Sequence, residues 1–215
     1  MIEIFKEFLE LERPLNEGIL KKLESNLKTN FIYNSNAIEG NTLTLKETDI
    51  ILRYGVTVKG KSLKEHEEVK EQEYAINFLK EVIKTNESLS LRLIREFHAL
   101  VFNDDIENRG KFKKSNNEIL GVGFETTPYY LVEEKLTELI EKFNSSENND
   151  LIMKVACFHA DFEKIHPFID GNGRTGRLLL NLELMKNGYP ITVIRNEDRE
   201  EYYTALETAQ VESNY

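Results

Sequence analysis

The sequence predicts a mainly α fold, a helical bundle with one short β-hairpin. Three observations carry this. Apolar residues recur at helical spacing through almost the whole chain. A single stretch, residues 115–130, breaks that spacing with Gly121, Gly123 and Pro128 among β-branched and aromatic residues. Leu178 to Met185 is apolar nearly all round, as suits a helix at the centre of a bundle.

Ile19, Leu20, Leu23 and Leu27 form the first stripe. Leu93, Ile94, Phe97, Leu100 and Val101 form a second, and Val132, Leu136, Leu139, Ile140 and Phe143 a third. Asn144 to Asp150 is the most polar stretch and reads as a helix–helix loop. Ile152, Val155, Ala156, His159 and Phe162 lead a further helix into a glycine-rich segment, after which Leu178 to Met185 follows. A last helix begins near Asn196 or Asp198, either of which can cap it, and carries Tyr202, Tyr203 and Leu206. No repeat, low-complexity tract or long linker interrupts the chain.

The 215 residues suit one domain, or one domain with a small helical extension. A net charge of −10 argues against a nucleic-acid-binding surface spread over the protein, though not against a local basic pocket. The first residues lack the basic start and apolar run of a signal peptide. No stretch approaches the roughly 18 apolar residues of a membrane span. Cys157 is the single cysteine, expected as a buried thiol, so neither an internal disulfide nor a cysteine metal cluster is available. A soluble, cytoplasmic protein with no nucleic-acid or membrane partner is expected.

The chemistry concentrates in His166-Pro167-Phe168-Ile169-Asp170-Gly171-Asn172-Gly173-Arg174-Thr175-Gly176-Arg177. Glycines at 171 and 173 allow a sharp turn with N–H groups facing outward, and the turn enters a helix whose N-terminus receives phosphate. Arg174 and Arg177, three apart, fall on one helix face and can grip phosphate oxygens bidentately. Asp170 is a hard oxygen ligand of the type Mg²⁺ accepts. His166 can be neutral near pH 7 and take a proton from an attacking hydroxyl. No Gly-Lys-Ser/Thr follows the glycines, so this is not a P-loop.

This segment resembles the signature loop of the Fic family at every fixed position. The resemblance, from about Asn34 to Gln210, implies transfer of AMP from ATP to a Tyr, Ser or Thr hydroxyl of a target protein. It implies His166 as general base, Asp170 holding Mg²⁺ on the α- and β-phosphates, Gly171, Asn172 and Gly173 as the anion hole, and Arg174 and Arg177 on the outer phosphates. It makes residues 115–130 a flap over the active site that pairs with the target backbone. It places Tyr202 and Tyr203 at the adenine pocket, and Gln210 where relatives commonly carry an adenine-contacting Asn. Residues 86–215 become the catalytic core and residues 1–85 an N-terminal helical region. Many relatives append a winged-helix domain, but this sequence ends soon after the last helix.

Ser35-Asn36-Ala37-Ile38-Glu39-Gly40 resembles the inhibitory motif of the family. Ser35 and Glu39 are at i, i+4, so a helix puts both on one face, and Gly40 is a natural helix stop. A carboxylate so delivered could pair with Arg177 and leave ATP in an unproductive pose. Two other readings stay open: a hydrolase that removes AMP with Glu39 as base for water, and a non-catalytic protein that responds to ATP. Self-adenylylation and a homo-oligomer that locks or frees the Glu39 helix are compatible with all of this.

Overall fold

A computed structural model describes residues 16–117, 126–145 and 150–212, and among these there are eight α-helices and no strand. The helices are α1 (Glu17–Ile38), α2 (Leu45–Tyr54), α3 (Leu63–Thr85), α4 (Leu91–Val101), α5 (Val132–Ser145), α6 (Leu151–Ile165), α7 (Asn172–Lys186) and α8 (Arg199–Glu212). Short 3₁₀ turns at Tyr129–Leu131 and Asn196–Asp198 lead into α5 and α8.

Side chains fix most of the helix starts. Asn16 accepts from the Gly18 N–H at α1, Ser90 from Leu93 at α4, and Asp150 from Ile152 and Met153 at α6. Reciprocal capping boxes, Thr44 with Glu47 and Ser62 with Glu65, open α2 and α3. Periodicity alone passes over these two helices, but the Thr/Ser-x-x-Glu spacing marks both.

Helix α7 is the axis of the bundle, with Leu178, Leu179 and Leu182 fully buried, and α3, α4 and α6 pack around it. One core runs from Phe31 to Ile191 and joins Val69, Ile76 and Leu79 of α3 to Leu93, Ile94 and Phe97 of α4. The predicted stripes on α4 and α5 are buried there.

The first stripe behaves differently from expectation. Ile19, Leu20 and Leu23 are exposed, and of the four only Leu27 packs against the core. Helix α1 is 22 residues long and buries its C-terminal half, from Thr29 to Ile38. Its N-terminal half runs past the packed layer. The expected hairpin falls largely on residues 118–125, outside the described residues; its flanks, 115–117 and 126–128, carry no strand. Residues 146–149 of the expected polar loop also lie outside them. No helix among the described residues is long and apolar enough to cross a membrane.

Candidate active site

The turn between α6 and α7 is braced from several sides. Helix α6 ends at Ile165, and His166 caps it in the left-handed region (φ 50°, ψ 60°) with its N–H donating to the Phe162 carbonyl at 3.1 Å. A non-glycine residue there costs about 1–3 kcal/mol and persists only where the surroundings impose it. Here the Lys113 N–H donates to the Pro167 carbonyl at 2.9 Å. Phe168 is buried flat against the His98 ring, centroids 3.7 Å apart. His98 accepts the Gly110 N–H on Nδ1 at 3.0 Å, so Nε2 carries its proton and donates to the Asp170 carbonyl at 3.0 Å. His98 is a strut of the loop.

Asn172 closes the turn through its side chain: Oδ1 accepts from the Phe168 N–H and Nδ2 donates to the Phe168 carbonyl, both at 2.9 Å. What Asn172 offers an anion is therefore its backbone N–H. Gly171 precedes α7 at φ 74°, a conformation that favours glycine, and a Cβ there would press 3.4 Å from the His98 ring. The N–H groups of Asn172, Gly173 and Arg174 form the first turn of α7, which no helix can pair internally.

His166 faces this turn. Its Nδ1 lies 3.3 Å from the Glu163 carbonyl, so a proton on Nδ1 leaves the Nε2 lone pair free. Burial pulls the imidazole down to about 4 against the pull of that carbonyl, and Lys113 lowers it further. It is neutral at pH 7 and can accept a proton. Asp170 is exposed, with Oδ1 accepting the Gly171 N–H at 2.5 Å.

The two arginines, expected to act together, have separate partners. Arg177 is 2% exposed; its Nη2 donates to Glu39 Oε1 at 2.7 Å and to the Ser35 carbonyl at 2.9 Å, and its Nε to Ser35 Oγ at 3.0 Å. Gln72 of α3 donates to the same Ser35 hydroxyl at 3.3 Å. Burial works against the Arg177 charge, but Glu39 more than restores it. The motif Ser35–Glu39 thus lies at the end of α1 with both residues turned onto one guanidinium. Glu39 is the C-cap of α1, and a Cβ on Gly173 would collide with its Oε1. The Glu39 carboxylate therefore rests against the first turn of α7. Arg174, also buried, turns instead to α3, its Nη1 3.9 Å from Glu68 Oε1.

The fold matches that of a Fic-domain-containing signaling protein from Bacteroides thetaiotaomicron with a TM-score of 0.92 and 31% identity, covering 99% of this chain and 82% of that one. The Fic/DOC family model matches residues 88–184, which include the whole turn. The chain belongs to the Fic/DOC family. Its sequence is 37% identical over 186 residues to protein adenylyltransferase fic-1 of Caenorhabditis elegans, covering 84% of this chain and 36% of the relative. It is 34% identical over 199 residues to protein adenylyltransferase Fic of Drosophila melanogaster, covering 90% and 40%. The chain spans about two fifths of the length of these curated relatives. A structure of C. elegans Fic-1 superposes with a TM-score of 0.84 at 33% identity, covering 94% of this chain and 61% of that one.

Within this Fic core, Tyr202 turns inward and shares a hydrogen bond of 2.7 Å with His159 Nε2, while Tyr203 is 40% exposed under the Arg199 guanidinium. Gln210 is buried and donates to the Ala160 carbonyl at 3.1 Å, tying α8 to α6. Cys157 is half-buried. Sequence reasoning missed Glu68 and Gln72, which follow the unread capping box of α3, and Glu163. Glu163 is buried behind the site, and burial pushes its carboxyl up to about 8. The signal for Glu163 was a carboxylate interrupting the apolar run three residues before His166.

Proposed function

We propose that this chain is a protein adenylyltransferase that moves AMP from ATP to a Tyr, Ser or Thr hydroxyl of a target protein, and that Glu39 holds it inactive. The observation that carries this reading is the Glu39–Arg177 contact laid over the first turn of α7. A carboxylate occupies the place where the geometry would seat a phosphate. The adenylyltransferase names of the relatives supply the reaction.

In the released state the N–H groups of Asn172, Gly173 and Arg174 receive the phosphates, with Arg174 and Arg177 on the outer ones. Neutral His166 takes the proton from the target hydroxyl. The hydroxyl oxygen attacks Pα, the bond from Pα to the bridging oxygen breaks, and pyrophosphate leaves with the electron pair. Positioning and charge neutralisation supply most of the acceleration. Exposed Asp170 is the carboxylate fitted to hold Mg²⁺, which neutralises triphosphate charge when bound. Residues 115–130 form the flap in this reading, with Tyr202 and Tyr203 at the adenine. Residues 1–85 deliver the brake to the core at 86–215.

The test is incorporation of α-³²P-labelled ATP into the protein itself at millimolar Mg²⁺. Label is expected in Glu39→Gly, little in the native chain, and none once His166→Ala is added. Equal label in native and Glu39→Gly protein would remove the brake. No label in Glu39→Gly protein that binds ATP, together with release of AMP from a modified protein by the native chain, would favour the hydrolase.

A further inference from the structure

We infer that Glu68 is a positioning residue for the triphosphate: it sets the Arg174 guanidinium beside the first turn of α7 and, through Asn41, ties it to the segment that carries Glu39. The inference rests on the nucleotide site proposed above. Arg174 is the third residue of α7, and its side chain is 8% exposed. A guanidinium taken out of water needs a counter-charge. The carboxylate that supplies it belongs to Glu68, whose Oε1 stands 3.9 Å from Arg174 Nη1.

Glu68 is not free to swing. Its Oε2 accepts from Asn41 Nδ2 at 2.7 Å, and the same amide donates to the Glu65 carbonyl at 3.1 Å. Asn41 lies two residues beyond Glu39, with its N–H on the Asn36 carbonyl at 3.1 Å. One carboxylate oxygen is anchored to the brake segment and the other is aimed at Arg174.

The two arginines then wait in different ways. Arg177 spends its Nε and Nη2 on Ser35 and Glu39, so a phosphate must displace Glu39 to reach Nη2, and only its Nη1 lacks an acceptor among the described residues. Arg174 is held by charge at a distance too long for a hydrogen bond, and its buried Nε has no acceptor among the described residues. Its donors stay available for phosphate oxygens while its position is fixed. The other charges nearby are Glu71, one turn further along α3 and also buried, and the Lys64–Asp104 ion pair. Carboxylates that orient a metal-ligating side chain commonly change affinity by about 10-fold or more, and the same order is expected where the oriented group is a guanidinium that receives phosphate.

Glu68→Gln, placed in the Glu39→Gly chain, tests this. Glutamine keeps an acceptor for Asn41 and removes only the charge facing Arg174. Titration calorimetry with ATP, pyrophosphate and adenosine should show about tenfold weaker binding of the first two and unchanged binding of adenosine, with the melting temperature preserved. Asn41→Ala, which keeps the charge and loses the tether, should weaken the same two ligands less. Equal binding of all three ligands by both chains would overturn the inference. So would tighter pyrophosphate binding, or a parallel loss of every ligand with a fall in melting temperature. Failure of the Glu39→Gly chain to bind ATP would remove the nucleotide site and this inference together. Binding without self-labelling would strike only the transfer reaction.

Discussion

Glu39 Oε1 lies 2.7 Å from Arg177 Nη2, although the two residues are 138 positions apart in the chain. Arg177 is 2% exposed and the Glu39 side chain 35%, so a partly open carboxylate holds a guanidinium that is itself buried. Glu39→Gly should destabilise the empty protein, because it leaves a buried cation without its partner. Such losses run about 3–5 kcal/mol for fully buried pairs, and the half-open Glu39 places this one at or below the lower end. Pyrophosphate should restore the loss by taking over the same guanidinium. Thermal melts with and without pyrophosphate check this: the variant should gain more than the native chain.

Ser35 accepts from Arg177 Nε and from Gln72 on one hydroxyl. Ser35→Ala leaves both donors short of a partner inside the protein, at about 1–3 kcal/mol, while the Ser35 carbonyl and Glu39 still hold Nη2. The brake should loosen rather than fail. Self-labelling is expected to rise above the native level and stay well below that of Glu39→Gly.

The sequence reveals the turn and the brake as local strings, since both depend on residues close in the chain. The i, i+4 spacing of Ser35 and Glu39 already implies one face, and the order from His166 to Arg177 already implies a helix N-terminus with a base beside it. What it does not reveal is which partners the side chains choose. Asn172 spends its amide on Phe168 and Arg174 leans to Glu68 because α3 lies alongside, and α3 is marked by a capping box rather than a clean apolar stripe. The exposure of Ile19 and Leu23 was equally illegible, because periodicity reports an amphipathic face and not whether anything covers it.

Protonation should set a maximum of stability near pH 6.5. Burial pulls His98 down to about 4 and His159 to about 3, and His166 moves the same way. Their unfolded forms bind protons below about 6.5. As pH falls from there the unfolded chain gains protons first, and each group costs ~1.4 kcal/mol per pH unit until its folded value is reached. Burial raises Glu163 to about 8 and Glu71 to about 7, so the folded chain keeps protons that the unfolded chain has lost. Their contribution is full below the ordinary carboxylate value and disappears as pH rises toward 7 and 8. Three histidines outweigh two glutamates below 6.5, and from there to about pH 8 the glutamates act; Lys113, which burial lowers to about 8, acts only above that. Melting temperature against pH should peak there, and Glu163→Gln should flatten the alkaline side; a native peak at pH 8 or above would contradict the buried neutral state of Glu163.

The same reasoning separates His166 from the binding groups. Its imidazole is held near 4 by burial, so in the brake-free Glu39→Gly chain the neutral, proton-accepting form dominates at every pH above about 5. Transfer should therefore be flat between pH 6 and 8, without the fall below 6.5 that an exposed histidine would give. His166→Ala should lower the rate by about 10²–10⁴-fold, the range for a lost general base. ATP affinity should change little, because the phosphates are met by backbone N–H groups and arginines rather than by the imidazole. Single-turnover labelling across that pH range, paired with ATP titration of both chains, measures the two quantities separately. A loss of ATP binding equal to the loss of rate would place His166 among the phosphate ligands instead.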